Sequence, residues 1–424
     1  MKRLAIVGSG ISGMAAAWFL HRRFDITLFE KDDRLGGHTN TVLLPDGDGE
    51  FPVDTGFMVF NHVTYPLLTR LFRELGVETE ETDMSFSVQY RPDRLEYNGG
   101  NLDLLFVQRR NLLNPRHWRM LLAIDRFNKE APSSIDDPRW AACTLEEYVR
   151  RRGYGDDMLH RYLVPMAGAV WSTPPERMLG FPAVTLLRFW RNHGFLGLHG
   201  RHQWFTVTGG SRNYASKLTA PFAERIRKGC GVSRVRRRGG MAELTLADGT
   251  RETFDKVILA SHADQSLALL DDPTELEGRL LREFRYQSNP ATLHTDDSVM
   301  PRRRRCWASW NYRLERLPEG SERATVHYWM NSLQRLPHHT NFFVSLNSEQ
   351  EIDPSRILRR IPYEHPLFNL GAIRAQAELP SLNTLSPDQT TYYAGAWFRY
   401  GFHEDGLSSA LDCARAVAGG EVWP

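Results

Sequence analysis

Leu4-Ala5-Ile6-Val7-Gly8-Ser9-Gly10-Ile11-Ser12-Gly13 decides the fold of this chain. Leu4 to Val7 is a short apolar run, the pattern of a buried parallel strand. The three glycines follow at once, and Met14 to Leu20 reads as an alanine-rich helix. Gly8 permits the tight turn, Gly10 lets the backbone approach a pyrophosphate, and Gly13 lets helix and strand pack closely. Free N–H groups and the dipole at the helix start, near Ser12, favour phosphates. Asp25 to Phe29 makes a second strand, ended by Glu30 with Lys31 beside it. An acid there accepts from a ribose hydroxyl. Strand, glycine turn, helix, strand and acid together predict an α/β, Rossmann-like dinucleotide-binding domain.

Working outward, Arg34-Leu35-Gly36-Gly37-His38 adds a second glycine pair that NAD binding does not need. Val53-Asp54-Thr55-Gly56-Phe57 follows, and Phe205 to Gly210 carries a further Gly-Gly ahead of Tyr214, Leu218 and Phe222. Gly231 to Val235, Ala242 to Leu246 and Val257 to Ser261 read as strands. Near the end, Thr391-Tyr392-Tyr393-Ala394-Gly395 reads as a strand. The loop Tyr400-Gly401-Phe402-His403-Glu404-Asp405-Gly406 then leads to a helix from about Leu407 to Ala418.

These motifs resemble the flavin amine oxidase superfamily, which implies FAD. The resemblance carries cofactor contacts to Gly8, Gly10, Ser12, Gly13, Glu30, Lys31, Arg34, Gly36, Gly37, His38, Thr55, Gly56, Phe57, Val232, Gly395, Ala396, His403, Glu404, Asp405, Gly406 and Leu407. Two positions depart from the pattern. His38 stands where the family usually has arginine. Ala396 stands where it usually has an acid, so that contact either passes to Glu404 or Asp405 or is lost. Gly56 to Asn61, Asp83 to Val88, Arg191-Asn192-His193 and Tyr400 to Leu407 resemble a narrower group: bacterial proteins encoded near lipid-methylating enzymes, and the N-terminal domain of plant cyclopropane fatty acid synthases. That implies work on, or beside, unsaturated or methylated fatty acyl chains, with a lipid methyltransferase as partner.

The resemblance predicts a discontinuous FAD domain over 1–90, 205–270 and 375–424. An α+β substrate domain with a mixed sheet and helices would use 91–204 and 271–374. Aromatic residues gather in the latter. Trp171, Trp204, Trp310, Asn311, Tyr328 and Trp329 are candidate substrate residues; core packing is their plainer reading. His327 to Asn331 alternates like a strand, with Tyr328 and Met330 on one face. Amine oxidases of this superfamily often carry a lysine that holds water at the flavin, but no lysine occurs after Lys256. His294 lies near that place, as a general base or as a hydrogen-bonded strand histidine. His403 and Glu404 are further candidates for catalysis, with helix capping the alternative for Glu404.

The bulk numbers exclude several classes. A net charge of +2 over 424 residues gives no case for nucleic-acid binding. Cys143, Cys230, Cys306 and Cys413 have neither metal-ligand nor redox spacing, so no metal is expected. No signal-peptide pattern and no apolar span of about 20 residues occurs, which reads as cytoplasmic. Arg109 to Leu122 mixes basic and bulky apolar residues, either as a solvated helix or as a flap touching the membrane inner face. A small molecule or lipid is the expected substrate; amine or polyamine oxidation, and a flavin-bound partner without chemistry of its own, are the rival readings.

Overall fold

The structure is a computed structural model describing residues 1–197, 202–318, 320–336 and 339–423. The chain divides into two compact units, the first from Met1–Glu80, Val207–Tyr286 and Gly371–Pro424, the second from Glu81–Thr206 and Gln287–Leu370. The first junction falls before Phe86–Tyr90, not near residue 90 as expected. That strand pairs with Trp310–Arg316 in the second unit's sheet.

The first unit is built on a five-stranded sheet in the order Thr391–Tyr393, Lys256–Leu259, Arg3–Val7, Asp25–Phe29, Ile226–Arg227. All its pairings are parallel. The helix Ile11–Leu20 follows the first strand and is almost wholly buried. Glycine is required at its start: a Cβ on Gly13 would lie 1.8 Å from the Gly8 carbonyl oxygen. The same helix packs on the C-terminal helix His403–Ala418, where a Cβ on Gly406 would meet Ile11 at 2.7 Å. The C-terminal helix begins four residues earlier than the expected Leu407. Gly401 and Gly406 look like loop residues in sequence, yet Gly406 serves close helix packing. His403, Glu404 and Asp405 therefore form a first helical turn, with the Asp405 carboxylate accepting the Phe402 N–H at 2.9 Å.

The second unit contains a seven-stranded sheet: Ile357–Ile361, Ala291–His294, Phe343–Leu346, Glu322–Trp329, Trp310–Arg316, Phe86–Tyr90, Leu95–Asn98. Register sorts its side chains onto two unlike faces. Trp310 opposes Tyr328, and Tyr312 opposes Val326; with Val344 and Leu293 these make an aromatic and aliphatic face. Asn311 opposes His327 and Ser87, and His327 opposes Ser345, giving a polar face. Both faces are buried at their centres. The expected strand to Asn331 ends at Trp329, because Met330 starts a short helix.

Candidate cofactor site and buried histidines

Gly10 is the N-cap of the first helix and no side chain caps that helix. A Cβ there would meet no protein atom within 4 Å, whereas Gly8 and Gly13 are hemmed in. Gly37, at φ +57°, lies next to Gly10: its Cβ would come 3.4 Å from the Gly10 Cα. The Gly36 N–H donates to the Ser9 carbonyl at 3.1 Å, so the two glycine turns are tied together. A bare helix start flanked by glycine backbone is what a pyrophosphate needs, and these residues fit FAD.

Glu30 is buried at the end of its strand. One oxygen accepts the Ser9 N–H at 2.9 Å and the Ser9 hydroxyl at 2.5 Å. The other accepts the Asp32 N–H at 3.0 Å, which leaves it capacity for one more donor. Lys31 is exposed and Val232 half-buried. They share this corner, since Gly231 packs on Lys31 and the Cys230 N–H donates to the Glu30 carbonyl. Arg34 turns back to the Leu35 and Thr39 carbonyls at 3.4 Å. Ser12 donates to the Gly406 carbonyl at 3.0 Å, so its hydroxyl joins two helices. Leu407 is fully buried and Ala396 half-buried. Gly395 is forced by Trp397, whose indole nitrogen would be 2.1 Å from an added Cβ.

Asp54, part of the Val53 to Phe57 motif but given no role of its own by the sequence alone, is the hub of the next layer. Its carboxylate accepts the Ser211 N–H and hydroxyl and the Thr41 hydroxyl, at 2.5–3.0 Å. This fixes the Gly209-Gly210 turn, where Gly210 at φ +90° leaves no room for a side chain beside Thr41. Burial raises its carboxyl to about 6 despite those bonds. The neighbouring Thr55 bonds the Asn40 carbonyl, and the Phe57 N–H the His38 carbonyl, so the segments on either side of Gly56 run together.

His403 stacks on the Phe57 ring at 3.7 Å, and its Nε2 lies 3.1 Å from both the Thr39 and Tyr214 hydroxyls. Desolvation pushes it down to about 3, His38 to about 4 and His262 to about 3. All three are neutral at physiological pH. His262, stacked on Tyr286 at 4.1 Å, was missed in sequence because nothing local marks it. Glu404 is placed differently. Its two oxygens accept the Leu67 and Leu68 N–H groups at 2.9 Å, at the start of the helix Pro66–Glu74. Asp405 is buried and raised to about 7.

The remaining candidates lie in the second unit and are not one group. Trp310 and Tyr328 meet edge to face at 4.9 Å. Asn311 is on the opposite face, its amide bonded to Ser87, Ala308 and the His327 carbonyl. Trp329 packs on Trp307 and donates to Asn341. Trp171 joins Phe181 and Phe189, and Trp204 stacks near His193. His294 is fully buried with both ring nitrogens engaged: Nδ1 accepts the Asp296 N–H at 3.1 Å and Nε2 donates to Ser345 at 2.7 Å. The Ser345 hydroxyl donates onward to His327 Nδ1 at 2.7 Å, and His327 Nε2 to Thr325 at 3.0 Å. One directed chain thus sets both tautomers. Burial drives His294 down to about 4 and His327 well below its usual range.

Residues 11–297 match the family model described as flavin containing amine oxidoreductase, more than half of the chain. The chain belongs to that family of FAD-dependent oxidoreductases. Protoporphyrinogen oxidase 2, chloroplastic/mitochondrial, of Arabidopsis thaliana is 24% identical over 182 residues, 42% of this chain and 34% of that protein. The chain thus spans about a third of the length of the curated relative it matches. A putrescine oxidase variant shares the fold with TM-score 0.70 at 15% identity, over 99% of each chain. A CLA-producing fatty acid isomerase from P. acnes does so with TM-score 0.68 at 14% identity, over 96% of this chain and 97% of its own. Among the described residues no helix is long and apolar enough to cross a membrane.

Proposed function

We propose that this protein uses FAD to oxidise or isomerise an unsaturated or methylated fatty acyl chain. The observation that carries this is the apolar face of the seven-stranded sheet. Trp310, Tyr312, Tyr328, Val326, Val344 and Leu293 put no charged group at its centre, which suits an uncharged hydrocarbon and offers an ammonium ion no carboxylate. The lysine-free sequence beyond Lys256 supports the same conclusion.

FAD supplies the hydride acceptor when bound. The glycine turns at Gly8 to Gly13 and Gly36-Gly37 hold its pyrophosphate, and Glu30 its ribose. Of the three catalytic candidates we retain His403. Burial keeps it neutral and a weak base, so its role here is a fixed hydrogen-bonding group whose ring Thr39, Tyr214 and Phe57 hold. Glu404 is a helix cap and His294 a strand tie in this scheme. A lipid-methylating enzyme is the partner that would make or use such a chain.

The test compares total cellular fatty acids with and without the protein, alongside anaerobic flavin reduction by acyl lipids. Changed profiles and bleaching of the flavin are expected; no change in either removes the lipid assignment. Amine oxidation is the second reading, favoured by the family match. Peroxide release with putrescine or a cyclic amine would establish it instead.

A further inference from the structure

The second unit holds a rigid apolar knob in water. Nine large hydrophobic residues are exposed among the described residues, and five of them fall between residues 102 and 122: Leu102, Leu112, Leu113, Trp118 and Leu122. Leu113 is 90% exposed, at the tip of the 3₁₀ turn Arg109–Leu113. Trp118 and Leu122 sit four apart on the helix Pro115–Ser134 and so share one side of it.

This exposure is built. Buried Gln108 accepts the Glu96 N–H at 3.2 Å and donates to the Arg94 carbonyl at 2.9 Å, anchoring the turn from beneath. Buried Asn111 bonds Gln108 at 3.3 Å. The Trp118 indole donates to the Leu112 carbonyl at 2.9 Å, and its ring lies 4.8 Å from Phe106. The leucines are therefore held outward by fixed hydrogen bonds.

Charge around the knob is mainly positive, although Arg116 is paired with Asp157 and Asp93. Residues 102–122 contain Arg109, Arg110, Arg116 and Arg119 against Asp103 alone. Asp103 is already paired with Arg109 and with Arg305 from the exposed turn Arg302 to Arg305, which brings more cations to the rim. Among the described residues Arg110 and Arg119 have no carboxylate partner. Leucine and tryptophan tips ringed by arginine match the boundary of a bilayer, with apolar groups below the phosphates and guanidinium groups among them.

We infer that this knob docks the protein onto an anionic phospholipid surface. The inference rests on exposed side chains, not on the acyl-chain proposal, so the two fail separately. It would explain how an enzyme of such a substrate reaches its chains.

The test is co-sedimentation of the FAD-loaded protein with phosphatidylcholine vesicles, with and without phosphatidylserine. Binding is expected only with phosphatidylserine. L112S/L113S should weaken it at least about tenfold, as loss of buried apolar surface requires. R110Q/R119Q should remove the preference for phosphatidylserine, at about fivefold per charge. Both pairs sit at exposed positions, and an unchanged Tm and flavin content verifies their folding. No sedimentation with either vesicle, or binding untouched by both variants, overturns the inference. Self-association abolished by L112S/L113S in the absence of vesicle binding also overturns it, and assigns the knob to a second copy.

Discussion

The two units bury polar groups in opposite ways. In the first, Glu30, His403, Thr39 and Tyr214 gather near glycine backbone, and at Gly10 a side chain would meet no protein atom. In the second, His294, Ser345, His327 and Thr325 bond in a chain, and the Asp296 N–H takes up the remaining His294 nitrogen. A polar cluster that keeps glycine beside it can receive a ligand. One that closes on itself fixes strand register and leaves nothing to offer. Buried histidine, taken alone, does not distinguish the two.

Acid should separate the units most strongly. His193 and His294 are depressed to about 4, and burial also drives His327 well below its usual range. A depressed folded value means that the unfolded chain binds the extra protons. Their stability contribution is therefore full above 6.5 and lost as pH falls toward about 4. The first unit has the same burden in His38, His262 and His403, but Asp54 and Asp405 work against it. Their folded values, about 6 and about 7, exceed the ordinary 3.8. The folded state takes up those protons first, so stability is regained as pH falls through that window. Hydrogen exchange across the interval should show the second unit opening before the first. Simultaneous opening would remove the electrostatic contrast.

Glycine substitutions sharpen the comparison within the first unit. Gly13→Ala places a Cβ against the Gly8 carbonyl and should cost both folding and flavin. Gly10→Ala meets no protein atom, so the apoprotein Tm should hold while flavin content falls at least about tenfold, as loss of close backbone approach requires. Full flavin retention by Gly10→Ala would place the pyrophosphate elsewhere.

In the second unit Ser345→Ala strands the His294 N–H and the His327 acceptor together. Two unsatisfied buried groups should cost roughly 2–4 kcal/mol. Denaturant unfolding measures this, and flavin affinity should stay unchanged. A loss below about 0.5 kcal/mol, well under the cost of one such group, would show that the chain is slack.

How far all this is legible in sequence follows from distance along the chain. The Gly8 to Gly13 turn is local, so spacing and flanking pattern suffice. The Asp54 clamp joins residues 157 apart, and the His294–Ser345–His327 chain joins three strands whose pairing no short window contains. Asn311 looked like a companion of Trp310 because they are adjacent. In a strand adjacency means opposite faces, and the buried amide follows from that. The same limit misplaced the C-terminal helix, since Gly406 answers to Ile11 on a distant helix.

Glu404→Gln is the smallest effect and the finest discriminator. As a cap, the carboxylate satisfies two helix-start N–H groups with charge. The amide keeps one acceptor and turns an NH₂ toward the second donor. That should cost about 1 kcal/mol, read as a drop of about 1 °C in Tm for a chain this size, with kcat nearly unaltered. A catalytic base would behave inversely: Tm would hold, and kcat would fall by a factor on the order of 10² or more. Because burial raises the Glu404 carboxyl, the neutral amide also relieves a desolvated charge, which offsets part of the cost. A Tm loss that shrinks as pH rises, and the carboxylate of the parent protein ionises, is the signature of a cap under that strain.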